Sequence, residues 1–163
     1  MENLQIRKIY DNLERNVLVM IAIPIPFFGF VYLNSENPIV FLEIPQIAEF
    51  WEYFGLGMVF TILVAQYLIF QKETKYIAAS DFDLNRKLFS YSKVSVKRFK
   101  ILFFAALMAA GGLLLFGNAG FTIAFAITLV FFSAAKPSPD RIIRSLKLKG
   151  EEKDLVDGLK KRE

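Results

Sequence analysis

The sequence predicts an all-α integral membrane protein: a four-transmembrane-helix bundle with both termini cytoplasmic and short amphipathic cytoplasmic helices. Three observations predict it. The first is the run 101–135, which contains no Asp, Glu, Lys or Arg and is bracketed by Lys100 and Lys136. A single helix over that run would be about 50 Å long, against about 30 Å of bilayer hydrocarbon. Gly117-Asn118-Ala119-Gly120 at its centre reads as a tight turn, so the run folds into two spans. The second is composition: 55% of residues are hydrophobic and mean hydropathy is +0.40, yet 22% are charged, and the charges cluster. Apolar spans alternating with charged connections produce that pattern.

The third observation is the placement of the 20 Lys and Arg residues. Arg7, Lys8 and Arg15 precede the first apolar run, eight more fall in 71–100, and nine in 136–163. The connection 34–52 and the Gly-Asn-Ala-Gly turn contain none. With spans at 17–33, 53–70, 101–116 and 121–135, every basic residue falls on one face, and the positive-inside rule makes that face cytoplasmic. The membrane domain is then 1–135, including the cytoplasmic connection 71–100, and 136–163 is a cytoplasmic helical tail. The expected location is a multi-pass position in a bacterial cytoplasmic (inner) membrane.

Residues 1–16 place Ile6, Ile9 and Leu13 on a helical stripe leading to Val17, which predicts an amphipathic lead-in lying at the interface. In span 1, Pro24 and Pro26 each remove a backbone donor and disfavour helix at the preceding residue. A kink or break near mid-membrane is expected, with the prolines as hinge or gate candidates. No small-x-small cleavage site follows, so span 1 reads as retained rather than as a signal peptide. In the acidic connection, Pro38 and Pro45 punctuate the chain, and Pro45 suits the first turn of a helix starting near Gln46. Tyr32, Trp51 and Tyr53 predict an aromatic belt on that side. Gln66, the one strongly polar residue of span 2, is expected near its cytoplasmic end, satisfied by water or headgroups.

Ser80, Asp81 and Asp83 read as a helix N-cap, followed by Leu84, Leu88, Tyr91 and Val94 at helical spacing in a helix that continues into span 3. Asp81-Phe82-Asp83 has the form of a metal-holding Asp-x-Asp, but capping explains it in so short a connection. Ala105, Ala109 and Gly112 in span 3, and Gly120, Ala124 and Thr128 in span 4, form two small-residue stripes that would meet across the hairpin. In the tail, Ser138 is an expected N-cap with Pro139 at the first helical position, and Gly150 an expected stop. A second helix is expected from Glu151 and Glu152 to Lys160, Lys161 and Arg162.

The absence of Cys excludes disulfides and thiolate chemistry, and the absence of His removes the commonest metal ligand and neutral-pH base. No cofactor, metal site or catalytic residue is expected, and no nucleic acid, because the basic residues track a membrane surface. Lys97, Arg98, Lys100 and Lys136 are expected at anionic lipid headgroups. Ile142, Ile143, Leu146, Leu155 and Val156 are the expected partner-docking surface. The function expected is that of a non-catalytic accessory or scaffold subunit, packing with itself or a membrane partner. The alternatives are a small oligomeric transporter or channel gated at the span-1 prolines, with Gln66 or Thr61 in the path, and a lipid-modifying enzyme using Glu43, Glu49 and Glu52 or Asp81 and Asp83.

Overall fold

The computed structural model describes residues 2–37 and 47–160, and among them the chain is all helical. The helices are α1 (Glu2–Ala22), α2 (Pro24–Glu36), α3 (Glu49–Ala79), α4 (Leu84–Phe116), α5 (Ala119–Ala135), α6 (Pro139–Leu146) and α7 (Gly150–Asp157), closed by a 3₁₀ turn at Gly158–Lys160. Among the described residues three helical stretches are long and apolar enough to cross a membrane: Leu4–Glu36, Glu49–Ala79 and Leu84–Phe116. The 17-residue α5 reaches a fourth only together with α6, from which it is bent by 82°. Pro38, Glu43, Pro45 and Gln46, and the basic Lys161 and Arg162, lie outside the described residues.

The core is built around α4, which packs against α1, α2, α3 and α5. Its buried residues explain why. Leu84, Leu88, Tyr91, Ser95, Arg98, Leu102, Ala105, Ala109 and Gly112 are all buried and alternate in steps of four and three. That is one unbroken heptad stripe along the whole helix. Ala106, Ala110 and Leu113 widen it to a second face. Small side chains on both faces let several helices approach at once.

The antiparallel α3–α4 pair is joined only by Ser80–Asp83, so both helices run far beyond the apolar windows expected for spans 2 and 3. At 31 and 33 residues they are about 46 and 50 Å long. Ser80, expected to cap α4, instead closes α3, its hydroxyl donating to the Ile77 carbonyl at 2.6 Å. Asp83 holds the N-cap position of α4 without a side-chain cap bond.

Span 1 breaks where its prolines predict, but gently. Ile23 alone separates α1 from α2 and keeps right-handed helical dihedrals, and its N–H still reaches the Val19 carbonyl at 3.3 Å. Pro24 and Pro26 fall in the first turn of α2, where backbone donors have no intrahelical partner anyway. The buried stripe Ile6, Leu13, Val17, Pro24, Phe28 and Val31 crosses the break. The N-terminal segment therefore continues the axis of the apolar run and packs on α4.

The chain after α5 turns sharply. Ser138 caps α6 as expected, accepting from the Arg141 N–H at 3.3 Å, with Pro139 at the first helical position. The turn is locked by Arg141, whose Nη1 donates to the carbonyls of Ser133, Ala134 and Lys136 at 3.0, 2.7 and 2.9 Å. These are end-of-helix carbonyls without intrahelical donors, and a cation there also opposes the helix dipole. Arg141→Ala should cost roughly 1 kcal/mol, with Lys recovering part of it, measured by thermal unfolding in detergent.

Gly150 does not stop α6. That helix ends at Leu146 with Lys147 in the left-handed region at φ 53°, and Gly150, at φ 55°, opens α7. Lys160 ties α7 back to α6 by bonds of 2.6 Å to both Asp140 and Asp157. Hydrogen bonds to those two carboxylates raise the Lys160 ammonium above its ordinary range, and Lys160 in turn holds the Asp157 carboxyl below its own.

Candidate functional site

Polar chemistry gathers at the end of the bundle that carries the basic residues. Gln66 and Arg98 lie on the facing stripes of α3 and α4. Arg98 Nε donates to Gln66 Oε1 at 2.8 Å, and Gln66 Nε2 donates to the Leu63 carbonyl at 3.0 Å. The Arg98 guanidinium carbon sits 4.4 Å from the Phe70 ring centroid, in cation–π range. Tyr91 meets the same ring edge-on at 6.1 Å. Gln66 is 1% exposed and Arg98 7%. Both departures from expectation have one cause: heptad position, not distance from the helix end, sets which way these side chains point.

Lys97 shows the complementary case. Successive helix positions diverge by about 100°, so the residue beside a core position faces outward. Lys97 lines an open groove of about 690 Å³ between α3 and α4, together with Lys72 and Lys93. Its ammonium bonds Glu73 at 2.6 Å across the groove. Ser90 adds a hydroxyl, and Ile69, Phe82 and Val94 supply apolar walls. Lys72, Lys93 and Ser90 are residues to which sequence reasoning gave no role; the signal was their placement on the flanks of two facing heptad stripes.

The opposite end is latched by Asn118. Its Oδ1 accepts from the Gly120 N–H at 2.6 Å, capping α5, and its Nδ2 donates to Glu52 Oε1 at the start of α3. The expected turn residue and the expected interfacial carboxylate are thus one contact. Tyr32, Trp51 and Tyr53 are all exposed.

The small-residue stripes are used within the chain. Ala105, Ala109, Gly112, Ala124 and Thr128 are buried, whereas Gly120 is half-buried and lies against Leu56 of α3. Gly112 faces the Phe121 ring. Of the hinge candidates, Pro24 is buried and Pro26 exposed. Lys100 and Lys136 are exposed and lie outside the groove. Of the expected docking residues, Ile142, Leu146 and Val156 are buried in the protein's own core, with Ile143 and Leu155 half-buried against it. Ile142 closes on Ile6, Leu13, Leu88 and Tyr91, so that apolar surface is already occupied by α1 and α4.

Among the described residues no three His, Cys, Asp or Glu side chains come together as a metal site would require. No family model, curated protein or solved structure matches the chain.

Proposed function

We propose that this is a non-catalytic, four-span integral membrane protein that acts by assembly, packing through α3 on a second copy of itself. The proposed setting is a bacterial cytoplasmic membrane, with both termini and the α3–α4 connection in the cytoplasm. The observation that carries the reading is a shallow, open, mostly apolar patch on the outward face of α3, lined by Phe60, Thr61, Val64, Ala65 and Leu68. Gly57, Thr61 and Ala65 run through this face at four-residue spacing, and a side chain at Gly57 would meet nothing within 4 Å. Small residues at that spacing allow close helix approach in a bilayer, where hydrophobic driving force between helices is absent. The Thr61 hydroxyl donates to the Gly57 carbonyl at 2.8 Å, so the face carries no unpaired hydroxyl into lipid. The buried stripes of α4 and α5 are consumed inside the chain, whereas the Gly57–Thr61–Ala65 face of α3 is open. Two copies inserted with the same topology are related by an axis along the membrane normal, so their α3 helices run parallel and the contact is self-complementary.

The chain has no cysteine, so an introduced one is its only thiol. In native membranes Thr61→Cys should give a disulfide-linked dimer on oxidation. Ile123→Cys, on the exposed face of α5, should not. Adding Ala65→Leu to the Thr61→Cys chain should abolish the dimer. An uncrosslinked monomer that copurifies with a different membrane protein would make the subunit heteromeric, and a monomer without a partner would overturn the assembly reading. Ala119→Cys should label with an impermeant maleimide from outside the cell and Lys149→Cys should not; the reverse would overturn the orientation.

A further inference from the structure

We propose that the α3–α4 groove binds the phosphorylated headgroup of an anionic amphiphile, supplied by a phospholipid of the adjacent leaflet. Three lysines from two helices line it, Lys72 from α3 and Lys93 and Lys97 from α4, with the Lys93 ammonium resting 4.5 Å from the Phe89 ring centroid and Lys97 paired with Glu73, the one carboxylate of the lining. A basic face arising from membrane orientation alone would scatter its lysines over the surface, as Lys100 and Lys136 are scattered. Here they share a concavity whose volume suits a headgroup with part of a chain.

The walls suit the rest of such a molecule. Ile69, Phe82 and Val94 line the groove, so it is amphipathic, not uniformly charged. Lys72 follows the apolar run of α3 and Lys97 precedes that of α4, so the groove opens where those runs end. α3 and α4 together exceed the hydrocarbon thickness by about 15–20 Å, which leaves this end at headgroup depth and beyond. An acyl chain entering past Ile69 stays in the bilayer while the phosphate meets the ammonium groups. Lys97 is already held at the groove by Glu73, at 54% side-chain exposure, so a phosphate oxygen can recruit it by exchanging one anionic acceptor for another. The Ser90 hydroxyl provides a neutral donor beside the charged ones.

The shared chemistry is a phosphate anion, which a soluble phosphate compound would also present, so the test separates the two sources. The full chain in detergent is titrated with dioctanoyl phosphatidic acid, dioctanoyl phosphatidylcholine and inorganic phosphate, read by native mass spectrometry and by thermal shift. Phosphatidic acid should bind in a one-to-one complex, phosphatidylcholine about tenfold more weakly, and inorganic phosphate should leave the melting temperature unchanged. Lys72→Gln/Lys93→Gln should weaken phosphatidic acid binding by tenfold or more. Lys100→Gln/Lys136→Gln removes the same charge outside the groove and should leave binding unchanged. Equal losses in both double variants, or equal binding of the zwitterionic lipid, would overturn the site. A thermal shift with inorganic phosphate matching that of the lipid would overturn the lipid source. The site depends on proposed membrane orientation only for which leaflet supplies the ligand; it is independent of the α3 dimer, whose crosslink reads a different face.

Discussion

Gly112→Ala should destabilise the folded bundle by about 1–3 kcal/mol, an overpacking penalty far out of proportion to one methyl group. A Cβ at this position would lie 2.2 to 2.6 Å from three atoms of the Phe121 ring. The ring cannot step aside. Phe121 is 1% exposed, stacks on Phe116 at 5.9 Å, and also lies against Gly55 of α3. Relief requires moving α5 away from α4 near the turn, which also pulls on the Asn118 latch to Glu52. Gly111→Ala is the control on the same helix turn. Nothing lies within 4 Å of a Cβ there, so alanine should be neutral or stabilising by up to about 1 kcal/mol through helix propensity alone. Adding Phe121→Leu to Gly112→Ala should recover part of the loss. Unfolding in detergent measures all three variants against the unaltered chain, and equal stability of the Gly112→Ala and Gly111→Ala chains would overturn the ring-in-glycine packing.

This contact shows what was legible in the sequence and what was not. Residues 105, 109 and 112 were readable as a packing stripe because small side chains at helical spacing in an apolar helix have little other use. The partner was not readable from distance to the turn. A glycine makes a socket, and the ring of Phe121 fills it. Phe121, Phe125 and Phe132 share the buried side of α5 with Thr128, and Phe125 stacks on Phe28 of α2 at 3.8 Å. With eighteen Phe in the chain, nothing in the sequence singles out Phe121 as the one that fills a glycine socket.

The basic end was misjudged for a similar reason. The stripe 84, 88 and 91 and the stripe 105, 109 and 112 are in phase. Continuing the first in heptad steps passes through Ser95, Arg98 and Leu102 to reach the second. Charge invited Arg98 to be grouped with its basic neighbours, whereas register groups it with the core. The tail residues Ile142, Ile143, Leu146, Leu155 and Val156 were read as a surface for a partner, and the chain's own core takes them up instead. Which surface covers them depends on the 82° turn after α5, which Arg141 secures through contacts that no local pattern announces.

Gln66→Leu should cost about 1.5–3 kcal/mol, because it withdraws the acceptor of a charged donor that has little access to water. Arg98 is 7% exposed, and its Nε has Gln66 Oε1 at 2.8 Å. Leucine fills a similar volume, so lost packing contributes little and the cost falls on the stranded guanidinium, with Phe70 retained beneath it. Arg98→Met should also destabilise, by leaving Gln66 Oε1 without its donor. The double variant Gln66→Leu/Arg98→Met should be less damaging than the two losses added together, with a coupling of about 0.5–3 kcal/mol, since neither polar group remains to be satisfied. An apolar pair in place of a buried charged one is often close to neutral. The same cycle separates a structural node from a conduction path. If Gln66 faced an aqueous route, water would replace either partner, and the single variants would keep their stability while altering solute flux in liposomes. Full additivity of the two substitutions, with unfolding midpoints unchanged and flux altered, would therefore remove the Gln66–Arg98 pair from the core and restore the channel alternative.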